Sequence, residues 1–126
     1  MGYRTDLSRV IGLGSARDGV AHWWSQRVTA LALVPLVVLG VPPLAGAIGG
    51  AHADVLATYR DPFNAIIAIL LIAVMFRHLA LGLQVVIEDY VHGKAMRAAL
   101  LLANTLGCAF FGLTGVFAVA RIAFSG

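Results

Sequence analysis

The sequence predicts an all-α integral membrane protein with three transmembrane helices, and two observations carry that reading. Of its 126 residues, 60% are hydrophobic and only 12% are charged, with a mean hydropathy of +0.90. Soluble domains are nearer ~45–50% apolar and about 25% charged. The apolar residues also fall into three runs, about 27–49, 62–87 and 98–124, with short polar stretches between them. Each run is long enough for the roughly 20–25 residues that cross a bilayer. At this length the chain is a single membrane domain over residues 1–126.

Residues 1–26 hold Arg4, Arg9, Arg17, Asp6, Asp18 and four glycines. They read as a polar tail running to the membrane interface, where Trp23 and Trp24 are amphipathic anchors at headgroup level. The segment has no early apolar core, so no cleavable signal is expected. In the first span, Pro35 frees a backbone carbonyl near Leu31 and should kink the helix, and Pro42-Pro43 should loosen its far end. Residues 50–61 (GAHADVLATYRD) are expected to be a short polar connection.

Pro62 suits the first turn of the second span, which carries Arg77 and His78. Residues 88–97 form the next polar connection, with Gly93 a break. In the third span Ala95, Ala99, Ala103 and Gly107 recur every four residues and lead on to Gly115. Such a stripe of small residues lets another helix backbone come close.

Orientation follows from the basic residues. Arg4, Arg9, Arg17, Arg27, Lys94 and Arg97 fall on one side, and only Arg60 and Arg121 on the other. The bias places the N-terminus in the cytoplasm and the C-terminus in the periplasm. The formal charge of +3 therefore reflects orientation signals at span ends and implies no nucleic acid partner. The single cysteine, Cys108, cannot form an intrachain disulfide.

The chemistry concentrates in residues 75–90, MFRHLALGLQVVIEDY. An ionisable residue inside a membrane span marks a functional site. With His78 at zero on a helical wheel of about 100° per residue, Gly82 falls at roughly +40°, Val85 at about −20° and Asp89 at about +20°. One stripe thus carries an imidazole, a gap beside it, and a carboxylate ~16 Å further along. From the bare residue, His78 is either an axial haem ligand or a histidine satisfied by a neighbouring carbonyl or a proton pathway. His22, His52 and His92 all lie near water boundaries, so a second ligand at the same depth has to come from another chain.

Arg27 opens the first span, as a positive-inside anchor or as a partner for haem propionates. Arg77, about 100° around the helix from His78, faces a propionate, snorkels, or pairs with a partner. Asp89 and Tyr90 end the second span. They are either a solvated helix end or a carboxylate and phenol suited to a quinone carbonyl at the membrane boundary.

Taken together, GLGSARDGVAHWWSQRVTALALVPL followed by H-x3-G-x6-DY resembles the small hydrophobic membrane-anchor subunit of succinate dehydrogenase, in its alphaproteobacterial form. The resemblance runs from about Gly12 to Arg97. It implies a membrane-anchor subunit of respiratory complex II, succinate:ubiquinone oxidoreductase, in the bacterial inner membrane, with no activity alone. The implied partners are a flavoprotein subunit carrying FAD, an iron–sulfur subunit carrying the clusters, and a second membrane anchor.

In that family, succinate oxidation in the tricarboxylic acid cycle delivers electrons to ubiquinone at the membrane, and one haem b is ligated by a histidine from each anchor. The resemblance makes His78 this chain's iron ligand, Tyr90 the hydrogen-bond donor to quinone, and Asp89 its neighbouring acid. It sets Arg27 near the propionates and the quinone pocket, and Gly82 four residues beyond the ligand. Arg77 departs from the pattern, since some members have apolar residues there, and Trp23 and Trp24 are given no chemical role. The alternatives are an anchor for fumarate reductase, or a haem-free membrane scaffold or proton-pathway protein.

Overall fold

The computed structural model describes residues 18–125, and every regular element among them is helical. There are four: α1 (Asp18–Ala47), α2 (His52–Arg60), α3 (Pro62–Tyr90) and α4 (Lys94–Phe124). The helices α1, α3 and α4 are each long and apolar enough to cross a membrane. At about 1.5 Å per residue, each exceeds the ~30 Å hydrocarbon layer, so the helix ends reach into the interfaces.

The helix starts and stops have local causes. Helix α1 continues through Pro35, Pro42 and Pro43 to Ala47. It stops just before Gly49, whose φ of +85° turns the chain in a conformation that L side chains rarely adopt. Asp61 caps α3, its carboxylate accepting the Asn64 N–H at 3.0 Å, and Pro62 occupies the first turn as the sequence predicts. Gly93 stands at the N-cap of α4, the expected break.

One element differs from expectation. Within the anticipated polar connection, residues 52–60 form α2. The Asp54 carboxylate accepts the Ala51 N–H at 2.9 Å, covering an otherwise unpaired donor at the helix start. Asn64 donates to the Thr58 carbonyl at 3.2 Å, tying α2 to the start of α3. Tyr59 is buried, and burial pushes its phenol above the usual range.

The three long helices form a layer. Helix α3 packs between α1 and α4, which do not touch each other. Gly40 lets α1 approach so closely that a Cβ there would lie 2.9 Å from Leu71 Cδ2. On the other side of α3, Cβ atoms at Gly112 and Gly115 would lie 3.2 Å from Phe76 and 3.1 Å from Ile72. Asn104 Nδ2 adds an interhelical hydrogen bond to the Ala80 carbonyl at 2.9 Å. Both neighbours of α3 run antiparallel to it, because rising numbers on α1 or α4 meet falling numbers on α3.

The small-residue stripe is only partly used inside the chain. Gly115 packs on α3, whereas Ala95, Ala99 and Ala103 are exposed and a Cβ at Gly107 meets nothing within 4 Å. A three-helix layer has no enclosed interior. The buried apolar side chains are few (Ala47, Tyr59, Ala65 and Leu81) and most large hydrophobic residues face outward. In water such a surface would aggregate; in a bilayer it is the surface presented to lipid or to other helices.

Candidate functional site

Between α1 and α3 lies an open groove of about 780 Å³. On the α1 side it is lined by His22, Trp23, Gln26 and Arg27; from α3 come His78, Gly82, Val85 and Glu88. Antiparallel packing and the close contact at Gly40 set the register. They bring Thr29 level with His78, Gln26 level with Gly82, and Gly19 toward Glu88.

His78 is half-buried and its Nδ1 lies 3.0 Å from Thr29 Oγ1. The same hydroxyl lies 2.9 Å from the Ser25 carbonyl and 3.0 Å from the Gln26 carbonyl. A hydroxyl has one proton, and here it is directed back to its own helix. The direction of the Thr29–His78 bond is set by the tautomer of the ring: with the hydroxyl proton on its own helix, Thr29 offers lone pairs and Nδ1 is the donor. A neutral imidazole that donates from Nδ1 keeps a lone pair on Nε2, the form that binds a metal.

Two polar atoms in the groove are buried without a hydrogen-bond partner, His22 Nε2 and Gln26 Oε1. Buried polar groups are normally paired, so these two mark places where a ligand or a partner side chain completes the bonding. A Cβ at Gly82 would meet only Gln26 Nε2, at 3.7 Å, so the glycine leaves open space beside His78. At the groove mouth the Arg27 guanidinium lies 5.4 Å from the Trp23 ring centre, a cation–π contact, and Trp23 stacks on Trp24 with ring centres 6.0 Å apart. Gln84 donates to Glu88 at 2.9 Å on the α3 side.

The expected residues divide into three groups. His78, Gly82 and Arg27 line the one groove. Asp89 and Tyr90 end α3 exposed and outside it, Tyr90 at 78% exposure; the acid turned into the groove is Glu88. Arg77 lies on the far side of α3, exposed, lining a second groove of about 400 Å³ with Phe76, Ala80, Cys108 and Gly112.

The sequence alone does not mark His22, Gln26 and Thr29 as site residues. Their spacing of i, i+4 and i+7 places three polar groups on one face of α1, which is the signal that could have found them. Among the described residues no three His, Cys, Asp or Glu side chains converge into a set that could hold a metal ion.

A protein family described as the succinate dehydrogenase/fumarate reductase transmembrane subunit matches residues 1–120. The chain belongs to that family. The succinate dehydrogenase hydrophobic membrane anchor subunit of Paracoccus denitrificans is 35% identical over 122 residues, covering 97% of this chain and 94% of that protein. The protein of the same description from Rickettsia bellii is 31% identical over 107 residues, covering 82% of this chain and 83% of its own length. The succinate dehydrogenase membrane anchor subunit of Reclinomonas americana is 30% identical over 84 residues, 64% of this chain and 70% of that protein. No solved structure matches the chain.

The alphaproteobacterial resemblance expected from the sequence is thus borne out. With three apolar helices and relatives that are membrane anchors, this member of the transmembrane-subunit family is a multi-pass protein of the bacterial inner membrane. Its relatives are subunits of an enzyme complex, which accords with a layer that leaves both faces of its central helix open to partners.

Proposed function

We propose that this chain is the membrane anchor of a succinate:ubiquinone oxidoreductase, that it shares a b-type haem with a second anchor, and that it forms part of the ubiquinone site. The observation that carries the reading is His78. It is an imidazole within an apolar span, its Nδ1 is held by Thr29 at 3.0 Å, and Gly82 opens space one turn away. Ligating histidines in metal sites characteristically donate their second nitrogen to such an acceptor.

The residues fit the group on three counts: an Nε2 on His78 that no side chain of the described residues occupies, a cleared surface at Gly82, and an unpaired His22 Nε2 in the same groove, suited to a propionate when it carries the proton. His78 would hold the iron. Arg27, at the groove mouth, suits the propionates, since a guanidinium pairs with carboxylates in a fork geometry. Arg77 has no part in this pocket, because it lines the opposite groove; it suits an anionic or carbonyl partner from a neighbouring chain. When bound, haem supplies a one-electron carrier within the membrane.

For quinone the chain offers the exposed end of α3. Tyr90 donates its phenol proton to a quinone oxygen, and Asp89 orients that hydroxyl or relays a proton. Arg27 favours the negative charge that reduction builds. Reduction of ubiquinone to ubiquinol takes two electrons and two protons, so a proton donor at the water boundary is a requirement of the chemistry. The full exposure of this end accords with a site completed by the iron–sulfur subunit and the second anchor. FAD and the iron–sulfur clusters belong to those soluble partners.

The basic-residue bias supports a cytoplasmic N-terminus and a periplasmic C-terminus, which puts Asp89 and Tyr90 on the cytoplasmic side. The test is a reduced-minus-oxidised spectrum of the complex purified through this chain, with succinate:ubiquinone reductase activity measured alongside. A b-type band with ubiquinone reduction is expected; their joint absence would leave a membrane scaffold.

A further inference from the structure

We propose that Thr29 is a positioning residue for His78: it fixes the ring as the Nδ1–H tautomer, presents Nε2 to iron, and sets the haem potential from the neighbouring helix. The inference rests on the proposed haem ligation by His78, and it concerns a residue on α1 that is remote in sequence from the ligand.

The hydrogen-bond pattern has one arrangement that satisfies every contact. Thr29 Oγ1 lies within 3.0 Å of two helix carbonyls and 3.0 Å from His78 Nδ1. If the hydroxyl proton stays on the carbonyls and His78 donates from Nδ1, all three contacts are hydrogen bonds. If Thr29 instead donates to Nδ1, both carbonyl contacts lose their proton and the ring N–H moves to Nε2, where it blocks ligation. No other side chain of the described residues hydrogen-bonds the His78 ring.

The direction of the effect on a bound haem follows. An acceptor on Nδ1–H draws that proton away and makes Nε2 a stronger donor. A stronger donor favours ferric over ferrous iron, so the bond lowers the haem midpoint potential. The bond also fixes the plane of the ring, because α1 and α3 are held in register by the packing of Gly40 on Leu71. Loss of such outer-shell partners costs on the order of 10- to 100-fold in metal affinity or activity.

Thr29→Val removes the hydroxyl and keeps the side-chain volume, and Thr29→Ser keeps the hydroxyl and removes the methyl. In the purified complex, Thr29→Val is expected to raise the haem midpoint potential, change the ferric EPR g-values, and speed haem transfer to excess apomyoglobin about 10- to 100-fold. Thr29→Ser is expected to restore wild-type values in all three. Wild-type potential, g-values and transfer rate in Thr29→Val would overturn the proposal, as would a serine variant that behaves like valine. Should Thr29→Val fail to assemble, Thr29→Ala is read in its place with the same expected shifts.

If the wild-type complex carries no haem, the assignment of His78 as ligand fails, and the Thr29–His78 bond is read by 15N NMR of histidine-labelled complex. The Nδ1–H tautomer is expected there, and the Nε2–H tautomer overturns the positioning role.

Discussion

Gly82 offers a perturbation whose effects on the chain and on its proposed occupant have opposite signs. A methyl at position 82 would lie 3.7 Å from Gln26 Nε2, an ordinary contact, and no other atom of the chain beyond its own helix turn comes within 4 Å. The protein alone therefore accepts Gly82→Ala. Replacing a glycine in a helix interior also stabilises that helix by about 0.5–1 kcal/mol. A macrocycle lying against Gly82 meets the same methyl as overpacking, which costs roughly 1–3 kcal/mol. At ~1.4 kcal/mol per tenfold, haem retention falls by about 5- to 140-fold. The assay is haem per complex by pyridine haemochromogen, with thermal unfolding of the detergent-solubilised complex measured in parallel. Gly82→Ala is expected to lose haem from a complex whose helices are no less stable, and Gly82→Leu to lose more. Assembled Gly82→Ala and Gly82→Leu complexes with wild-type haem content would show that the groove beside His78 does not receive the macrocycle.

Two further perturbations probe other parts of the molecule. Tyr90→Phe removes one hydroxyl from a side chain that touches little of its own chain (78% exposed), so assembly should be unaffected. Reduction of ubiquinone should fall while succinate oxidation by an artificial acceptor is retained; unchanged ubiquinone turnover would remove the hydroxyl from the mechanism. Asn104→Leu deletes the α4–α3 hydrogen bond to the Ala80 carbonyl. Interhelical bonds of this kind contribute about 0.6–2 kcal/mol in membranes, so the thermal midpoint should drop with helix content intact, and an unchanged midpoint would mean that Gly112 and Gly115 packing alone holds the pair.

The three spans are legible in the sequence because membrane insertion imposes a composition on whole segments. Apolar runs of sufficient length, with Pro62 and Gly93 at helix starts, are enough to mark them. Helix α2 is not legible. Its nine residues mix charged and apolar side chains, and it is held by the Asp54 cap and by tertiary contacts of Tyr59 and Thr58, none of which appears as a run. Within the site, His78, Gly82 and Arg27 stand out because each is unusual at its place in an apolar helix. Thr29, Gln26 and His22 depend on which residues of α1 face α3, and that register is fixed by Gly40 against Leu71. Helical-wheel geometry puts Asp89 on the His78 stripe, yet the groove takes Glu88. A wheel drawn on one helix contains no information about where along that helix, or on which side, its neighbour packs.

The proposed role of the chain depends above all on His78 supplying one of the two haem ligands. The most direct test is the b-type haem content of the complex carrying His78→Ala, measured by reduced-minus-oxidised spectroscopy against an equal amount of wild-type complex. The variant is expected to insert and to lose the b-type band or hold it in a sharply weakened form. A His78→Ala complex with the full wild-type band would contradict this assignment and move the ligand to another residue.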